Sequence, residues 1–329
     1  MKVIIPLAGF GKRLRPHTYS VPKPLINVAG KPILGHVIDM FQSIKTDEFI
    51  FVTGYLREQI EAYLSEEYPD LRTRCVEQVD ISGQSQAVLL TKDYVDGPVL
   101  LVFVDTIIDA DLTPLQDKTC EALAWVKRVR DPRRFGVAEL NQDGYVSRLI
   151  EKPSSMDNNL VVVGFYYLRD GPGLMNAIEA QIAANLQTKG EYYLADALQI
   201  MLSRGLKMRV KEVDVWEDCG NPNSMLHTNK YLLEHGHDNS AEVKADGFIV
   251  VPPVNIHPNA QIKNSVIGPC VTIAADCQID CAIVRESIVG EGAQIEDALV
   301  TQSLIGKRAH VKGHYNTFNI SDDSEVGFA

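Results

Sequence analysis

The sequence predicts an α/β domain built on a mixed, mostly parallel sheet, followed by a short parallel β-helix. Up to about residue 236, short apolar runs alternate with amphipathic stretches. Strands that alternate with helices in this way form parallel sheets covered on both faces. Beyond residue 250, aliphatic residues recur mostly at every sixth position, which is typical of a three-sided β-helix. We therefore expect a first domain at 1–236, a linker at 237–250 and a second domain at 251–329.

In the first domain, apolar runs predict strands and the amphipathic stretches between them predict helices. The expected strands are 2–7, 49–53, 74–77 and 99–104, and the expected helices are 32–43, 56–66 and 84–92. No helical pattern separates the runs 121–129, 137–140 and 146–150, so these predict an antiparallel patch within the sheet. Helices are expected at 173–184, 191–204 and 223–235.

The second domain is predicted from its repeat, after the polar and aperiodic segment 237–245, which indicates a linker. Steps of six and four separate Ile267, Ile273, Ile279, Ile283, Val289, Ile295, Leu299, Ile305 and Val311. We expect each of these side chains to point into the coil, with the step of four at a shortened corner. Three Ser-x-x-Gly tetrapeptides, at Ser265, Ser287 and Ser303, are expected to occupy the same place in successive turns.

Composition limits the possible partners. The chain has 32 Lys and Arg against 43 Asp and Glu, which argues against a general nucleic-acid binder. Its first 38 residues nevertheless hold six cationic residues and no acidic residue, so a local site for anions is expected. No apolar run reaches the ~20 residues of a membrane helix. The six dispersed cysteines contain no CxxC pair, which predicts reduced thiols in a cytoplasmic protein.

A glycine loop, residues 7–16, is expected at the carboxyl end of the first strand, where open α/β sheets bind ligands. Gly9 and Gly11 would let the backbone approach a phosphate closely, and the cationic residues 12, 13 and 15 would hold it. The loop fits neither the dinucleotide fingerprint, because Leu14 occupies the third glycine position, nor the P-loop. Lys23 stands between two prolines, which predicts a stiff extended segment that presents its ammonium. Taken alone, the loop is also compatible with a tight surface turn with solvated charges.

Together these segments form the pattern GxGxRLxPxTxxxPKPLxxVxGKP. The pattern resembles the sugar-phosphate nucleotidylyltransferases, which include glucose-1-phosphate thymidylyltransferase, UDP-glucose pyrophosphorylase and mannose-1-phosphate guanylyltransferase. The resemblance implies a Rossmann-like (GT-A-like) nucleotidyltransferase domain and, as in several members, a C-terminal left-handed β-helix. It also implies transfer of a nucleotidyl group from a nucleoside triphosphate to a sugar 1-phosphate, assisted by Mg²⁺. Lys12 and Val104 depart from the small hydroxyl residue and the glycine that the family usually has.

The resemblance implies roles for individual residues. The catalytic residues would be Arg13, Lys23, Asp105, Lys152 and Asp218, with Asp105 and Asp218 as the Mg²⁺ ligands. The nucleotide would be bound by Leu7, Ala8, Gly9, Gly11, Lys12, Arg13, Gln78 and Gly83. The sugar phosphate would be bound by Gly136, Glu151, Lys152, Val162, Gly164 and Glu191. Glu191 has an alternative interpretation as an acid that complements the N-terminus of a helix.

The family resemblance leaves the substrates open. The Gln78 amide carries a donor and an acceptor, so it suits the uracil or thymine edge and favours dTTP or UTP, with glucose 1-phosphate as the expected acceptor. Glu77 would suit guanine if the register moved by one residue. A guanylyl- or adenylyl-transferring member, a non-catalytic regulatory paralogue, and a kinase or hydrolase of phosphorylated sugars are alternatives. The β-helix is too short for a second, His-based acyl-transfer site, so we expect it to form a homo-oligomer.

Overall fold

A computed structural model describes residues 1–80 and 83–314, and within it the chain forms two compact units. The first unit contains residues 1–26 and 31–225, and the second contains residues 27–30 together with those from 226 onward. The last part of the expected second domain, residues 315–329, lies outside the described residues. No helix in the described ranges has the length and apolar content needed to cross a membrane.

The elements of the N-terminal part alternate as the apolar pattern predicts. The helices are α1 (Ile33–Asp39), α2 (Arg57–Glu67), α3 (Gln84–Leu89), α4 (Gly171–Ala183), α5 (Leu194–Ser203) and α6 (Pro222–Leu232). The strands are β1 (Lys2–Pro6), β2 (Asn27–Val28), β3 (Lys31–Pro32), β4 (Glu48–Thr53), β5 (Thr73–Glu77), β6 (Val99–Val102), β7 (Thr106–Ile108), β8 (Ala122–Arg128), β9 (Gly136–Leu140), β10 (Val146–Glu151), β11 (Leu160–Leu168), β12 (Met208–Glu212) and β13 (Trp216–Asp218).

A nine-stranded mixed sheet organises the first unit, in the order β10-β9-β11-β6-β1-β4-β5, with β8 paired to β11 and β12 paired to β8. Strands β1, β4, β5 and β6 are parallel, and β9 and β10 pair antiparallel, as predicted. β8 was expected in the same antiparallel patch, but it pairs antiparallel with β11 and parallel with β12. Side chains such as Ile4, Ile50 and Leu101 are fully buried in these central strands. The carboxyl ends of the parallel strands therefore converge at one edge of a rigid sheet.

Strand β11 was not predicted, although it joins the parallel and antiparallel parts of the sheet by pairing with β6, β8 and β9. Gly164 interrupts it with a φ of +79°, and the register with β8 shifts between Val162 and Tyr166. A glycine within an apolar run is typical of such a bulge. It also interrupts the pattern of strand-forming residues by which a strand is predicted from the sequence.

The second unit confirms the three-sided parallel β-helix. Its strands are β14 (Ile249–Val250), β15 (Val254–Ile256), β16 (Gln261–Lys263), β17 (Val266–Ile267), β18 (Val271–Ile273), β19 (Gln278–Asp280), β20 (Ile283–Arg285), β21 (Ile288–Val289), β22 (Gln294–Glu296), β23 (Leu299–Thr301), β24 (Leu304–Ile305) and β25 (His310–Lys312). They form three parallel four-stranded stacks, β14-β17-β20-β23, β15-β18-β21-β24 and β16-β19-β22-β25. Residues in the left-handed region, such as Cys270, Glu286 and Gln302, recur at intervals of 16 at the corners.

The predicted phase of the repeat is wrong at two positions. Leu299 is 83% exposed, and Ile283 is only partly buried, whereas Val284 and Val300 point into the coil. The register agrees, because Ile267 pairs with Val284 and Val284 with Val300. The inward-pointing residues at these corners are therefore separated by two steps of five residues, and not by steps of four and six. Adjacent strand residues face opposite sides, and both candidates at each position are aliphatic, so the sequence pattern selected the wrong neighbour.

The three serine markers also do not share one place. Ser265 precedes β17 in one stack, whereas Ser287 and Ser303 precede β21 and β24 in another. The Ser303 amide donates to Ser287 Oγ at 3.0 Å, and the Ser265 hydroxyl instead accepts from the Ala282 amide at 3.0 Å. The hydroxyls of Ser265 and Ser287 thus bridge successive coils on two different sides, whereas the Ser303 hydroxyl donates to the Thr301 carbonyl at 2.7 Å.

The polar segment expected to be a linker is tied to the β-helix. Asn239 pairs with Ile256 through both its side-chain amide and its side-chain carbonyl, at 3.0 and 2.9 Å. In the same unit, the buried Asn229 side chain on α6 accepts hydrogen bonds from the Ala29 amide and the Thr272 hydroxyl. Hydrogen bonding of polar side chains to backbone therefore orders both the segment before the coil and the inserted residues 27–30.

Candidate functional site

Two adjoining cavities open at the carboxyl ends of the parallel strands in the first unit. Their volumes are about 1060 and 460 Å³, and residues such as Gly9, Arg13 and Asp105 line both. Every predicted site residue lines one or both of them: Leu7, Ala8, Gly9, Gly11, Lys12, Arg13, Lys23, Gln78, Gly83, Asp105, Gly136, Glu151, Lys152, Val162, Gly164, Glu191 and Asp218. Residues that are far apart in the sequence thus share one concave surface.

The glycine loop follows β1, and its C-terminal end is anchored by Gly11 and Leu14. Gly11 adopts a left-handed conformation with φ +58°, and a Cβ there would lie 2.9 Å from Thr18 Cγ2. Leu14, in the short 3₁₀ helix that follows, is completely buried. No atom lies within 4 Å of the Cβ position of Gly9, so its backbone borders open space. The loop therefore combines an anchored end with backbone that a ligand can approach closely.

Lys23 is not on an extended segment, as its proline neighbours had predicted. Pro22 is extended, but residues 23–25 form one 3₁₀ turn. Pro24 is compatible with this turn because the backbone N–H that proline lacks has no partner in the first turn of a helix. The Lys23 ammonium donates to Asp105 Oδ2 at 2.7 Å, and its side chain is only 12% exposed. Burial alone would raise the pKa of Asp105, but the nearby Lys23, together with Arg13, outweighs burial and lowers it. Asp105 is thus held as a carboxylate.

Asp218, the second predicted metal ligand, lies on a strand that pairs with the strand following Asp105. Asp105 directly precedes β7, and Asp218 ends β13, which pairs antiparallel with β7 so that Asp218 is opposite Thr106. The Cys219 amide donates to the Asp105 carbonyl at 3.3 Å. A Cβ on Gly220 would lie 2.7 Å from Asp218 Oδ1 and 3.0 Å from Arg13 Nη2, so the absence of a side chain there leaves room for these charged groups.

These two aspartates fit a magnesium ion that is held mainly by its substrate. Carboxylate oxygens are the ligands that Mg²⁺ prefers, and it commonly takes one or two of them together with phosphate oxygens and water. Among residues 1–80 and 83–314, no group of three or more His, Cys, Asp and Glu side chains could hold a metal by itself. Asp105 and Asp218 line the larger cavity beside Arg13, where such a phosphate would have to lie.

The opposite part of the cavity is formed by β9, β10 and β11. Glu151 ends β10 opposite Gly136, whose Cβ position is 3.0 Å from Glu151 Oε2. Burial raises the pKa of Glu151. The bulge at Gly164 has no space for a side chain, since a Cβ would lie 2.9 Å from Phe103 Cδ2. A partly buried carboxylate acceptor in a cavity wall that also contains two glycines is suited to hydroxyl groups of a compact polar ligand.

Gln78 follows β5 and is 5% exposed. Its backbone amide donates to the Thr53 carbonyl at 2.7 Å, and its side-chain Nε2 donates to the Asp80 carbonyl at 3.1 Å. The side chain is therefore fixed by its own loop, with its amide oxygen still able to accept. Gly83, across the gap in the described residues, lines the same cavity.

Glu191 lies in the cavity wall but not in a helix. Helix α5 begins at Leu194 rather than at residue 191, so the predicted helix start is wrong. Glu191 instead forms an isolated bridge with Thr188, in which each backbone amide donates to the other residue's carbonyl at 3.1 Å. Because this acid precedes the first helical turn, the interpretation as a helix-terminal charge has no support from its position.

Several cavity residues were not predicted. Arg133, Arg134 and Tyr193 line the larger cavity, as does Trp216, which packs edge-to-face on Phe135 at 4.9 Å between ring centroids. Arg134 and Phe135 directly precede the predicted Gly136, and Tyr193 is two residues from Glu191. Proximity to predicted residues is therefore the signal that would have found them.

Comparison with known proteins finds one matching family model and several similar proteins. Residues 2–235 match the family model described as Nucleotidyl transferase. The bifunctional protein GlmU of Methanocaldococcus jannaschii is 36% identical over 71% of this chain, which spans only 55% of that protein's length. A glucose-1-phosphate thymidylyltransferase of Streptomyces griseus is 27% identical, over 89% of this chain and 88% of the relative. The solved structure of a UDP-glucose pyrophosphorylase complexed with UDP-glucose shares the fold, with a TM-score of 0.61 and 19% identity over 71% of this chain and 98% of that chain.

Proposed function

Because the chain belongs to the nucleotidyl transferase family, we propose that it transfers a nucleotidyl group from dTTP or UTP to glucose 1-phosphate and releases pyrophosphate. The observation that carries the proposal is the convergence of three cationic residues, Arg13, Lys23 and Lys152, with two aspartates around adjoining cavities. Two anionic substrates must be brought together in this reaction, and such a surface opposes their mutual repulsion. The name of the Streptomyces griseus relative, which matches along most of its length, supports a sugar 1-phosphate as the acceptor.

The proposed reaction needs no covalent enzyme intermediate. A phosphate oxygen of the sugar 1-phosphate attacks the α-phosphorus of the triphosphate and forms a new P–O bond. The bond from that phosphorus to the oxygen bridging the α- and β-phosphates breaks, and pyrophosphate leaves with its electron pair. A phosphate dianion is already nucleophilic, so the protein has to supply orientation and charge stabilisation.

Three cationic side chains would supply that stabilisation. Arg13, in the glycine loop, would hold the triphosphate and the departing pyrophosphate. Lys152, at the opposite side of the larger cavity, would hold the phosphate of the sugar. Lys23 is paired with Asp105 in this structure, and it would turn to the triphosphate when that ligand arrives. A lysine that exchanges one oxygen partner for another keeps its charge compensated throughout binding.

Asp105 and Asp218 would hold Mg²⁺, which when bound supplies positive charge to phosphate oxygens at the reacting centre. The Asp105 carboxylate is prepared for that role by its lowered pKa, because burial is outweighed by Lys23 and Arg13. Glu151 and the backbone around Gly136 and Gly164 would bind the sugar. The Gln78 amide oxygen would accept from the imide N–H of uracil or thymine.

A substrate panel tests the proposal. Purified protein would be incubated with Mg²⁺, each of the four ribonucleoside triphosphates or dTTP, and the 1-phosphates of glucose, mannose, galactose or N-acetylglucosamine. We expect pyrophosphate and a nucleotide sugar with dTTP or UTP and glucose 1-phosphate. Product with GTP or ATP alone would transfer the assignment to a purine-specific member. Absence of pyrophosphate with every pair would favour the non-catalytic regulatory paralogue, and release of inorganic phosphate without nucleotide sugar would favour a hydrolase.

We also propose that two or more copies associate through the β-helix. The supporting observation is an outward-facing aliphatic ladder on one stack, formed by Ile249, Val266, Ile283 and Leu299 in register. Ile249 is 61% exposed and Leu299 is 83% exposed. The equivalent outer positions of the β16-β19-β22-β25 stack are polar, as at Gln278. A contiguous apolar strip on an otherwise polar coil is typical of an interface.

A further inference from the structure

We infer that Tyr193 positions the ammonium group of Lys152, an inference that rests on the proposed function. The Lys152 Nζ atom donates a hydrogen bond to the Tyr193 hydroxyl and lies 4.5 Å from the centroid of its ring. Tyr193 lines the larger cavity but is only 5% exposed. The same tyrosine therefore contacts the lysine through both its hydroxyl and the face of its ring, and each contact restricts where the ammonium can lie.

Lys152 needs such a partner because of its surroundings. Its backbone is in the left-handed region with φ +48°, and its amide donates to the Phe135 carbonyl at 2.9 Å, so the side chain starts from a fixed point. Burial lowers the pKa of Lys152, but the Tyr193 hydroxyl, with Glu151 and Glu191, outweighs burial and raises it. A pairing with either glutamate would neutralise the ammonium. A neutral hydroxyl holds the group in place and leaves its full charge for a phosphate.

The backbone of Tyr193 is itself fixed by hydrogen bonds. Its carbonyl accepts from Nε2 of Gln181, a completely buried residue of α4, at 3.0 Å. The carbonyl of Tyr192 accepts from the Ser85 amide at 3.0 Å, next to the Gly83 turn of the expected nucleotide loop. The backbone at 192–193 thus links the nucleotide side of the cavity with the lysine on the sugar-phosphate side. A rigid support of this kind lowers the cost of ordering a long, flexible side chain when the ligand binds.

Steady-state kinetics of matched variants test the inference. Tyr193→Phe keeps the ring and removes the hydroxyl, and Tyr193→Leu also removes the ring. Tyr192→Phe is the control, because its hydroxyl donates to Asn185 Oδ1 at 2.8 Å and its side chain is not part of the cavity lining. We expect Tyr193→Phe to raise the KM for the sugar 1-phosphate about tenfold, as for loss of a hydrogen bond to a charged group. The KM for the triphosphate should stay within about twofold, since no contact to that side is removed.

Tyr193→Leu should raise the sugar-phosphate KM further, and Tyr192→Phe should behave as the unmodified protein. Equal kinetic constants for Tyr193→Phe and the unmodified protein would overturn the positioning role. An equal rise in both KM values would overturn it as well, because it would indicate a general loss of structure.

A second measurement does not depend on activity. Trace labelling of the full chain with acetic anhydride over a pH series, followed by mass spectrometry of peptides, reports the reactivity of Lys152. Because the Tyr193 hydroxyl helps to raise the pKa of Lys152, we expect Tyr193→Phe to label at lower pH and faster, and Tyr192→Phe to match the unmodified protein. An unchanged Lys152 profile in Tyr193→Phe would refute the contact. If that profile shifts but the unmodified protein forms no nucleotide sugar, the proposed function fails and the contact stands.

Discussion

Replacement of Lys23 by methionine separates its predicted catalytic role from its structural one. The substitution keeps most of the aliphatic stem and removes the ammonium that lies 2.7 Å from Asp105 Oδ2. With an effective dielectric constant of about 20, the attraction across that distance is about 6 kcal/mol before desolvation is subtracted. Asp105 is 32% exposed, so water can replace part of the lost interaction. We therefore expect a loss of unfolding free energy of only ~1–2 kcal/mol.

The expected effect of Lys23→Met on the reaction is larger. Removing one group that stabilises developing charge reduces turnover by about 100- to 1000-fold, or ~3–4 kcal/mol in activation free energy. The assay is pyrophosphate release with saturating substrates, alongside thermal unfolding of the same preparation. Lys31→Met is the matched control, because Lys31 belongs to the same basic segment but pairs with Asp39 and does not line the two cavities. Turnover within about threefold of the unmodified protein, or an equal loss in both variants, would refute this reasoning.

The remaining predictions concern the metal site, the sugar site and the coil. Asp105→Asn should reduce turnover by orders of magnitude and cost the same ~1–2 kcal/mol of unfolding free energy as Lys23→Met, because it removes the same ion pair, so the protein still folds. Asp111→Asn, at an exposed site, should leave both turnover and stability nearly unchanged, and near-normal turnover in Asp105→Asn would remove the metal assignment. Burial raises the pKa of Glu151, so kcat/KM for the sugar 1-phosphate should fall on the acidic side at a higher pH than an ordinary glutamate gives, and Glu151→Gln should lack that limb; an identical limb in the variant would assign it elsewhere. Val300→Asp should cost more than ~3 kcal/mol of unfolding free energy by burying a charge in the coil, whereas Leu299→Asp should keep the fold and reduce the oligomer seen by light scattering. Equal destabilisation by these two changes would contradict the finding that Val300, and not Leu299, points into the coil.

The sequence was sufficient for the alternation of strands and helices, since Ile4, Ile50 and Leu101 belong to apolar runs whose burial follows from their composition. It was insufficient for β11. That strand is interrupted by a glycine bulge at Gly164, and its place between β6 and β8 depends on pairing with segments distant in the sequence. Pairing of this kind leaves no periodic signal in the strand itself.

The residues of the candidate site likewise fall into those that the sequence predicted and those that it did not. The glycine loop, Lys23 and the aspartates could be predicted because each belongs to a local pattern of residues. Tyr193 could not, because its contact with Lys152 joins positions 41 residues apart. The conformation of Lys23 was mispredicted for a related reason, since Pro24 is compatible with an extended segment and with the first turn of a 3₁₀ helix. The structure selects the turn, with the ammonium on Asp105.

What the sequence by itself determined is the chemistry that is available: a basic segment without acids, an aspartate after an apolar strand, a second aspartate in a Trp-x-Asp-x-Gly segment, and a six-residue repeat typical of a β-helix. Only the tertiary structure decided which of these groups face each other and which aliphatic residue of each adjacent pair, such as Ile283 and Val284, points inward. The physical reason is that side-chain type is a local property. Burial and charge pairing, by contrast, depend on contacts between residues distant in the chain, whose geometry is fixed by the packing of the whole sheet and coil.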